Sequence, residues 1–168
     1  SRDDRLRADR NNKESCGGVS LTMNASALVV ALHGALQTEE SHRRPYEEAL
    51  QGWEGCAGYC SALLQLYTTP PPQLADAERL LAVLCLKNTV TRRWHSRRED
   101  EDAMQDDEKA VIRNGLLVAV QEPNRQLAAQ LEVIVALIAR LDGLAAWPEL
   151  MPRLFEEASQ PVALAAGR

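Results

Sequence analysis

The stretch RLLAVLCLKNTVTRRW, residues 79–94, decides the fold class of this chain. On a helical wheel its apolar residues share one side: Val83, Leu86, Val90 and Trp94. Polar and basic residues of the last two turns lie opposite that side or on its flank: Lys87, Asn88 and Arg92. One apolar and one polar side are typical of a helix that packs along a single face. The polar side is either a solvated outer surface or a surface that meets a partner.

The rest of the chain repeats the same kind of pattern. In the sixth helix, one apolar stripe at steps of four and three consists of Leu127, Leu131, Ile134, Ile138 and Leu141. The chain has 168 residues, of which 45% are hydrophobic and only 4% aromatic, so the core is aliphatic and the composition favours helices. No run of β-branched residues alternates with period two. The periodicity predicts seven helices, at 25–37, 41–54, 59–67, 75–94, 109–121, 125–142 and 147–158. Asn24 is a candidate N-cap of the first helix. The seventh helix, with Leu150, Leu154 and Phe155, is expected to pack against the sixth.

The spacing of the helices predicts a repeat architecture. Trp53 and Trp94 both end second helices of antiparallel pairs, and a pair every 40 to 50 residues is the period of HEAT or armadillo repeats. We therefore expect an all-α, α-α superhelix, a HEAT/armadillo-like solenoid of about three and a half helix pairs. In such a solenoid the second, fourth and sixth helices line one wall. Residues 25–158 form the predicted domain, 1–24 a poorly ordered segment, and 159–168 the tail of a truncated fragment.

Several classes of function find no support in the residues. The net charge of −5 argues against a general nucleic-acid binder. Neither a nucleophile–base arrangement nor a phosphate-binding glycine loop is present, so we expect no enzyme and no cofactor. The cysteines lack metal-ligand spacing, and we expect no metal and four reduced thiols. These residues are Cys16, Cys56, Cys60 and Cys85.

Four motifs, in order, resemble the N-terminal domain of the importin-β (karyopherin-β) family of nuclear transport receptors. They are YEEALQGWE (46–54), RLLAVLCLKNTVTRRW (79–94), the third-repeat segment 112–142, and AWPELMPRLFEE (146–157). The combination is most similar to the branch that includes importin-eleven. The chain departs from the family pattern after the first motif, where Ala57-Gly58-Tyr59 replaces Pro-Gly-Phe. Fold and family are both implied by the order and spacing of these motifs.

The resemblance implies binding of the small GTPase Ran in its GTP state, chiefly through second helices of the first repeats. It also implies shuttling between cytoplasm and nucleus, with protein cargo and nucleoporins bound by later repeats. The alternative is a HEAT-repeat scaffold that binds another protein independently of Ran. The candidate Ran-binding residues are Lys87, Asn88 and Arg92 on the fourth helix, Glu47 and Glu48 on the second, and Arg125, Glu132 and Arg140 on the sixth. Trp53, Trp94 and Trp147 are predicted to be packing residues.

Overall fold

A computed structural model of the chain describes residues 24–95 and 103–159. Within these ranges the chain forms α-helices and short 3-10 turns, which confirms the all-α prediction. The α-helices are α1 (Ala25–Ala35), α2 (Glu40–Trp53), α3 (Tyr59–Thr68), α4 (Asp76–Arg93), α5 (Asp106–Val118), α6 (Arg125–Asp142) and α7 (Leu150–Ser159). The 3-10 turns are Ala119–Gln121 and Leu144–Ala146. Apart from Asn24, the segment predicted to be poorly ordered lies outside the described residues, as do 96–102 and 160–168.

Most helix boundaries follow local signals in the sequence. The N-cap prediction is confirmed, because the Asn24 side chain accepts a hydrogen bond from the Ser26 N–H at 2.9 Å. Asn124 caps α6 in the same way. The predicted start of α5 at residue 109 is wrong, since the helix begins at Asp106. Acidic residues in the first turn are stabilised by the positive end of the helix dipole, so this acidic stretch starts the helix.

The helices stack in two layers, as the repeat period predicts. α1 packs on α2 and α3 packs on α4, while α3 also lies against α5 and α4 lies against α6. Close approach between first-layer helices requires a glycine, because a Cβ at position 115 of α5 would lie 2.3 Å from the Leu64 side chain of α3. The result is one aliphatic core shared by consecutive pairs.

The predicted apolar stripes form the core, with one exception. On α4, Val83, Leu86, Val90 and Trp94 are all at most 1% exposed. On α6 the predicted stripe is buried at Leu127, Leu131, Ile134 and Ile138, but Leu141 remains 38% exposed. Leu141 lies in the last turn, where neighbouring helices cover fewer sides of a helix than they do at its middle. The helical-wheel prediction therefore holds for α4 and fails only at the end of α6.

The packing of α7 differs from the prediction that it lies against α6. Its main contact is with the 3-10 turn at the end of α5. The Arg153 Nε donates to the Leu117 carbonyl at 3.4 Å, and the Gln121 amide donates to Glu157 at 2.8 Å. Leu150 is buried, but Leu154 and Phe155 are exposed. The reason is the order of the layers. The first helix of each pair stacks on the first helix of the pair before it, and α7 and α5 are the first helices of consecutive pairs.

Candidate partner-binding surface on α4 and α6

The polar side of α4 is divided between solvent and its neighbours. Asn88 and Arg92 are exposed, as the helical wheel predicts, whereas Lys87 on the flank is half-buried. The Lys87 ammonium group donates a hydrogen bond to the Gln130 Oε1 of α6 at 2.8 Å. Lys87 thus helps to hold α4 against α6 and offers only part of its side chain to a partner.

The basic end of α4 is tied to the end of α2. The Arg92 Nε donates to the Glu54 Oε1 at 2.9 Å, and an Arg93 guanidinium N–H donates to the Glu54 backbone carbonyl at 2.5 Å. Glu54 is the C-cap of α2, where the free carbonyls and the helix dipole attract cations. The arginines in the last turn of α4 therefore have a structural role. The pattern of residues 79–94 gives no sign of this partner, because Glu54 lies 38 residues earlier.

Three candidate residues lie on the exposed side of α6. Arg125, Glu132 and Arg140 are separated by seven and eight residues, which places them on one side of the helix. All three are exposed, and among the described residues none of them forms an ion pair or a side-chain hydrogen bond. We call the surface formed by Asn88, Arg92, Arg125, Glu132 and Arg140 the α4–α6 surface.

The acidic candidates on α2 are placed differently. Glu47 pairs with Arg43 at 2.9 Å and Glu48 with Arg44 at 2.8 Å, both one turn away on the same helix. α2 packs mainly on α1, and it reaches α4 through Glu54 at its C-terminal end. The structure thus brings the α4 and α6 candidates onto adjacent helices, while the α2 candidates sit in local pairs further from them in the stack.

A buried carboxylate joins the C-terminal ends of α4 and α6 to the middle of α5. Asp142 accepts hydrogen bonds from the Trp94 indole N–H at 2.8 Å and from the Arg113 guanidinium. It also pairs with the His95 ring at 2.9 Å. Arg113 also stacks over the Trp94 ring at 5.4 Å. Burial acts to raise the pKa of Asp142, but the hydrogen bonds from Arg113 and Trp94 outweigh it and hold that pKa below its usual value.

A second buried carboxylate, Glu122, lies at the end of the helix stack opposite to Asp142, where α3 ends and α4 and α6 begin. Glu122, in the turn before α6, accepts from the Tyr67 hydroxyl at 2.5 Å and from Arg79 at 2.9 Å. Burial again acts to raise the pKa of Glu122, and hydrogen bonds from Tyr67, the Asn124 backbone and Arg79 lower it below its usual value. The hydrogen bonds to Asp142 at one end of the helix stack and to Glu122 at the other keep α4 and α6 side by side. We call these two sets of contacts the Asp142 and Glu122 clamps.

The pKa shifts of Asp142 and Glu122 predict how stability depends on pH. Both folded-state pKa values lie below the unfolded values, which are about 3.9 for Asp and 4.3 for Glu. Their contribution is therefore complete above the unfolded pKa and is lost as the pH falls through the folded one. We expect the urea midpoint to fall as acid is added below about pH 5. Asp142→Asn should flatten this dependence, whereas Glu132→Gln should not. An equal slope in both variants would contradict the prediction.

The cysteines depart in part from the prediction that all four are reduced. Cys56, in the half-exposed turn between α2 and α3, is disulfide-bonded, so the prediction is wrong there. Cys60 and Cys85 are free, and burial raises the pKa of both thiols. Across residues 24–95 and 103–159, no group of three His, Cys, Asp or Glu side chains is arranged to hold a metal ion.

Comparison with known proteins decides the family. Residues 46–122, which run from the middle of α2 to the Glu122 clamp, match the family of the importin-beta N-terminal domain. Mouse importin-11 is 36% identical over 138 residues, which cover 82% of this chain. This chain belongs to the importin-β family. The similarity extends to the importin beta-like protein KAP120 of Saccharomyces cerevisiae, 39% identical over 64% of this chain, and to exportin-2 of Pagrus major, 25% identical over 78%.

These findings confirm the family resemblance and its importin-eleven-like branch. The chain spans 14% of the length of the mouse importin-11 relative, 10% of the yeast KAP120 relative and 13% of the exportin-2 relative. Of the helices that the structure describes, none is long and apolar enough to cross a lipid bilayer.

Proposed function

We propose that this importin-β N-terminal domain is the part of a nuclear transport receptor that binds Ran in its GTP state. The parent protein would carry cargo between cytoplasm and nucleus, with cargo and nucleoporins bound by repeats that follow. The observation that carries the proposal is the family match over residues 46–122, which includes all of α4 and most of α2. The receiving surface in this proposal is the α4–α6 surface.

The packing of this surface supports a role in binding a folded partner. Two parallel helices of the second layer lie side by side and are held in register by the Asp142 and Glu122 clamps at their two ends. A surface that is rigid before binding loses little conformational freedom on binding, so more of the contact energy appears as affinity. The charged side chains of α6 on it, Arg125, Glu132 and Arg140, are exposed, and Arg92 of α4 is also exposed but is bound to Glu54.

The deciding experiment measures the affinity of the 168-residue chain for Ran loaded with a non-hydrolysable GTP analogue and for Ran loaded with GDP. We expect tighter binding of the GTP form by about ten-fold or more, which corresponds to about 1.4 kcal/mol. Equal affinity for both forms, or no affinity for either, would favour the alternative of a HEAT-repeat scaffold that binds another protein independently of Ran.

A variant on α4 localises the binding surface. Reversing the charge of Lys87 or Arg92 would also disturb Gln130 or Glu54, so a loss of binding would have two explanations. Asn88 is exposed, and its replacement by glutamate avoids those contacts. We expect Asn88→Glu to weaken binding of GTP-loaded Ran without a change in the melting curve, because surface substitutions typically cost less than about 0.5 kcal/mol.

A further inference from the structure

A groove lies at the first helix pair, where α1 ends and α2 and α4 begin. Its volume of about 740 Å³ falls in the range of about 300 to 1,000 Å³ that is usual for ligand-binding sites. Its apolar walls come from two helices: Val29 and Val30 of α1, and Pro45 and Tyr46 of α2. These helices approach closely because Gly34 has no Cβ, which would overlap the Tyr46 ring. The groove is therefore formed by the packing of α1 on α2 and exists before any ligand binds.

A buried carboxylate, Glu78, lines this groove from the first turn of α4 and is 7% exposed. It accepts hydrogen bonds from the Ala75 N–H at 2.5 Å and from the His33 Nδ1 at 2.8 Å. In the part of the chain that the structure describes, Glu78 has no arginine or lysine partner, whereas Asp142 and Glu122 each have an arginine. Burial of a carboxylate without a cation is costly, so a cation that enters the groove is stabilised there.

We propose that this groove binds a peptide segment of a partner protein in which an arginine or lysine stands between two apolar residues. The cation of the segment pairs with Glu78. The apolar residues on either side of it pack on Val30 and Tyr46, which are 59% and 36% exposed in the free domain. The charge gives the site its specificity, because an uncharged segment leaves the buried carboxylate without a counter-ion.

The dimensions of the groove fit a short linear segment. It follows α1 from Val29 to the last helical residue, Ala35, a distance of about 9 Å. That distance corresponds to about three residues of an extended chain. The groove is separate from the α4–α6 surface, because Glu78 lies about 15 Å from Asn88 along the axis of α4. The inference therefore goes beyond the proposed function and does not depend on it.

The first test titrates the 168-residue chain with an acetylated and amidated leucine–arginine–leucine peptide, followed by the NMR chemical shifts of the backbone amides. At about pH 8, histidine side chains are normally neutral and do not compete for the carboxylate. We expect a Kd of about 1 mM or tighter, with the largest shifts at the groove. The same peptide with citrulline in place of arginine keeps the shape without the charge, and it should bind at least about ten-fold more weakly. Equal binding of the two peptides, or shifts elsewhere, overturns the proposal.

A third ligand separates a peptide site from a site for a small cation. Acetyl-arginine amide carries the same guanidinium group but lacks the two leucines. It should bind more weakly than the leucine–arginine–leucine peptide, because it leaves the apolar walls uncovered. Equal affinity would show that the groove takes a small cation and that the peptide proposal is wrong.

Variants of the chain test the carboxylate and the apolar wall separately. Glu78→Gln should remove the preference for arginine over citrulline and keep the melting curve, because glutamine can also accept from the Ala75 N–H. Its control, Glu48→Gln, removes the same charge at an exposed position of α2 and should keep the preference. Val30→Ser should weaken binding of both peptides, whereas Val111→Ser, at a similarly exposed position of α5, should not. A Glu78→Gln chain that still prefers arginine would sink the proposal.

The affinity for GTP-loaded Ran distinguishes this inference from the proposed function. Glu78→Gln and Val30→Ser should leave that affinity unchanged, since neither residue belongs to the α4–α6 surface. If both variants lose the GTPase and the peptide together, the groove is not a separate site and the inference is wrong. If the unchanged chain binds the peptide but shows no preference for GTP-loaded Ran, the proposed function is wrong while the groove stands.

Discussion

Replacing Asp142 by alanine lowers the free energy of unfolding by about 3 kcal/mol, the expected cost of removing one partner from a buried charge network. The side chain of Asp142 is only 3% exposed and receives donors from Trp94 and Arg113 while it pairs with His95. Without the carboxylate, the Arg113 guanidinium and the Trp94 N–H lose their acceptor at a site that water reaches poorly. Urea unfolding followed by circular dichroism measures the change.

The matched control for Asp142→Ala is Glu132→Ala on the same helix. Glu132 is exposed, so its removal should change the free energy of unfolding by less than about 0.5 kcal/mol. The Asp142→Asn variant separates shape from charge, because an amide fills the same space but offers one acceptor oxygen. We expect it to fall between the other two. Equal midpoints for Asp142→Ala and Glu132→Ala would show that the clamp contributes nothing to stability.

Replacing Trp94 by alanine should cost about 4 kcal/mol, which is typical for the loss of a fully buried tryptophan. Trp94 is 0% exposed, and Arg113 and Lys109 of α5 lie over its ring at 5.4 and 6.0 Å. Alanine removes the apolar surface, the two cation–π contacts and the indole donor to Asp142 together. Thermal and urea unfolding report the loss, and near-ultraviolet circular dichroism reports whether the remaining core is still packed.

Two comparisons make the Trp94 prediction specific. Trp53 ends α2 as Trp94 ends α4, but it is only half-buried, so Trp53→Ala should be the milder change. Combining Trp94→Ala with Asp142→Ala should cost less than the sum of the single changes, because the two side chains share a hydrogen bond. If the two costs simply add, Trp94 and Asp142 act independently and the end of the helix stack is not a single network.

The candidate site illustrates how far pattern reasoning reaches. The helical wheel of α4 correctly separates its buried residues from the exposed Asn88 and Arg92, because that separation depends only on the angle between successive residues. It could not find Glu54 or Gln130, which lie 38 and 43 residues away from their partners. Their contacts depend on the offset between stacked helices of neighbouring pairs. The packing of the whole core sets that offset.

The sequence by itself determined the helical class, nearly all helix boundaries, the buried face of α4 and the importin-β family, because periodicity, capping residues and motif order are local properties of the chain. Only the tertiary structure decided that α7 packs at the end of α5, that the arginines of α4 hold Glu54, and that Asp142 binds Trp94 across 48 residues. Each of these contacts joins separate helices. The energy of each contact depends on the distance between the two side chains and on how deeply they are buried, and both are defined only in the folded structure.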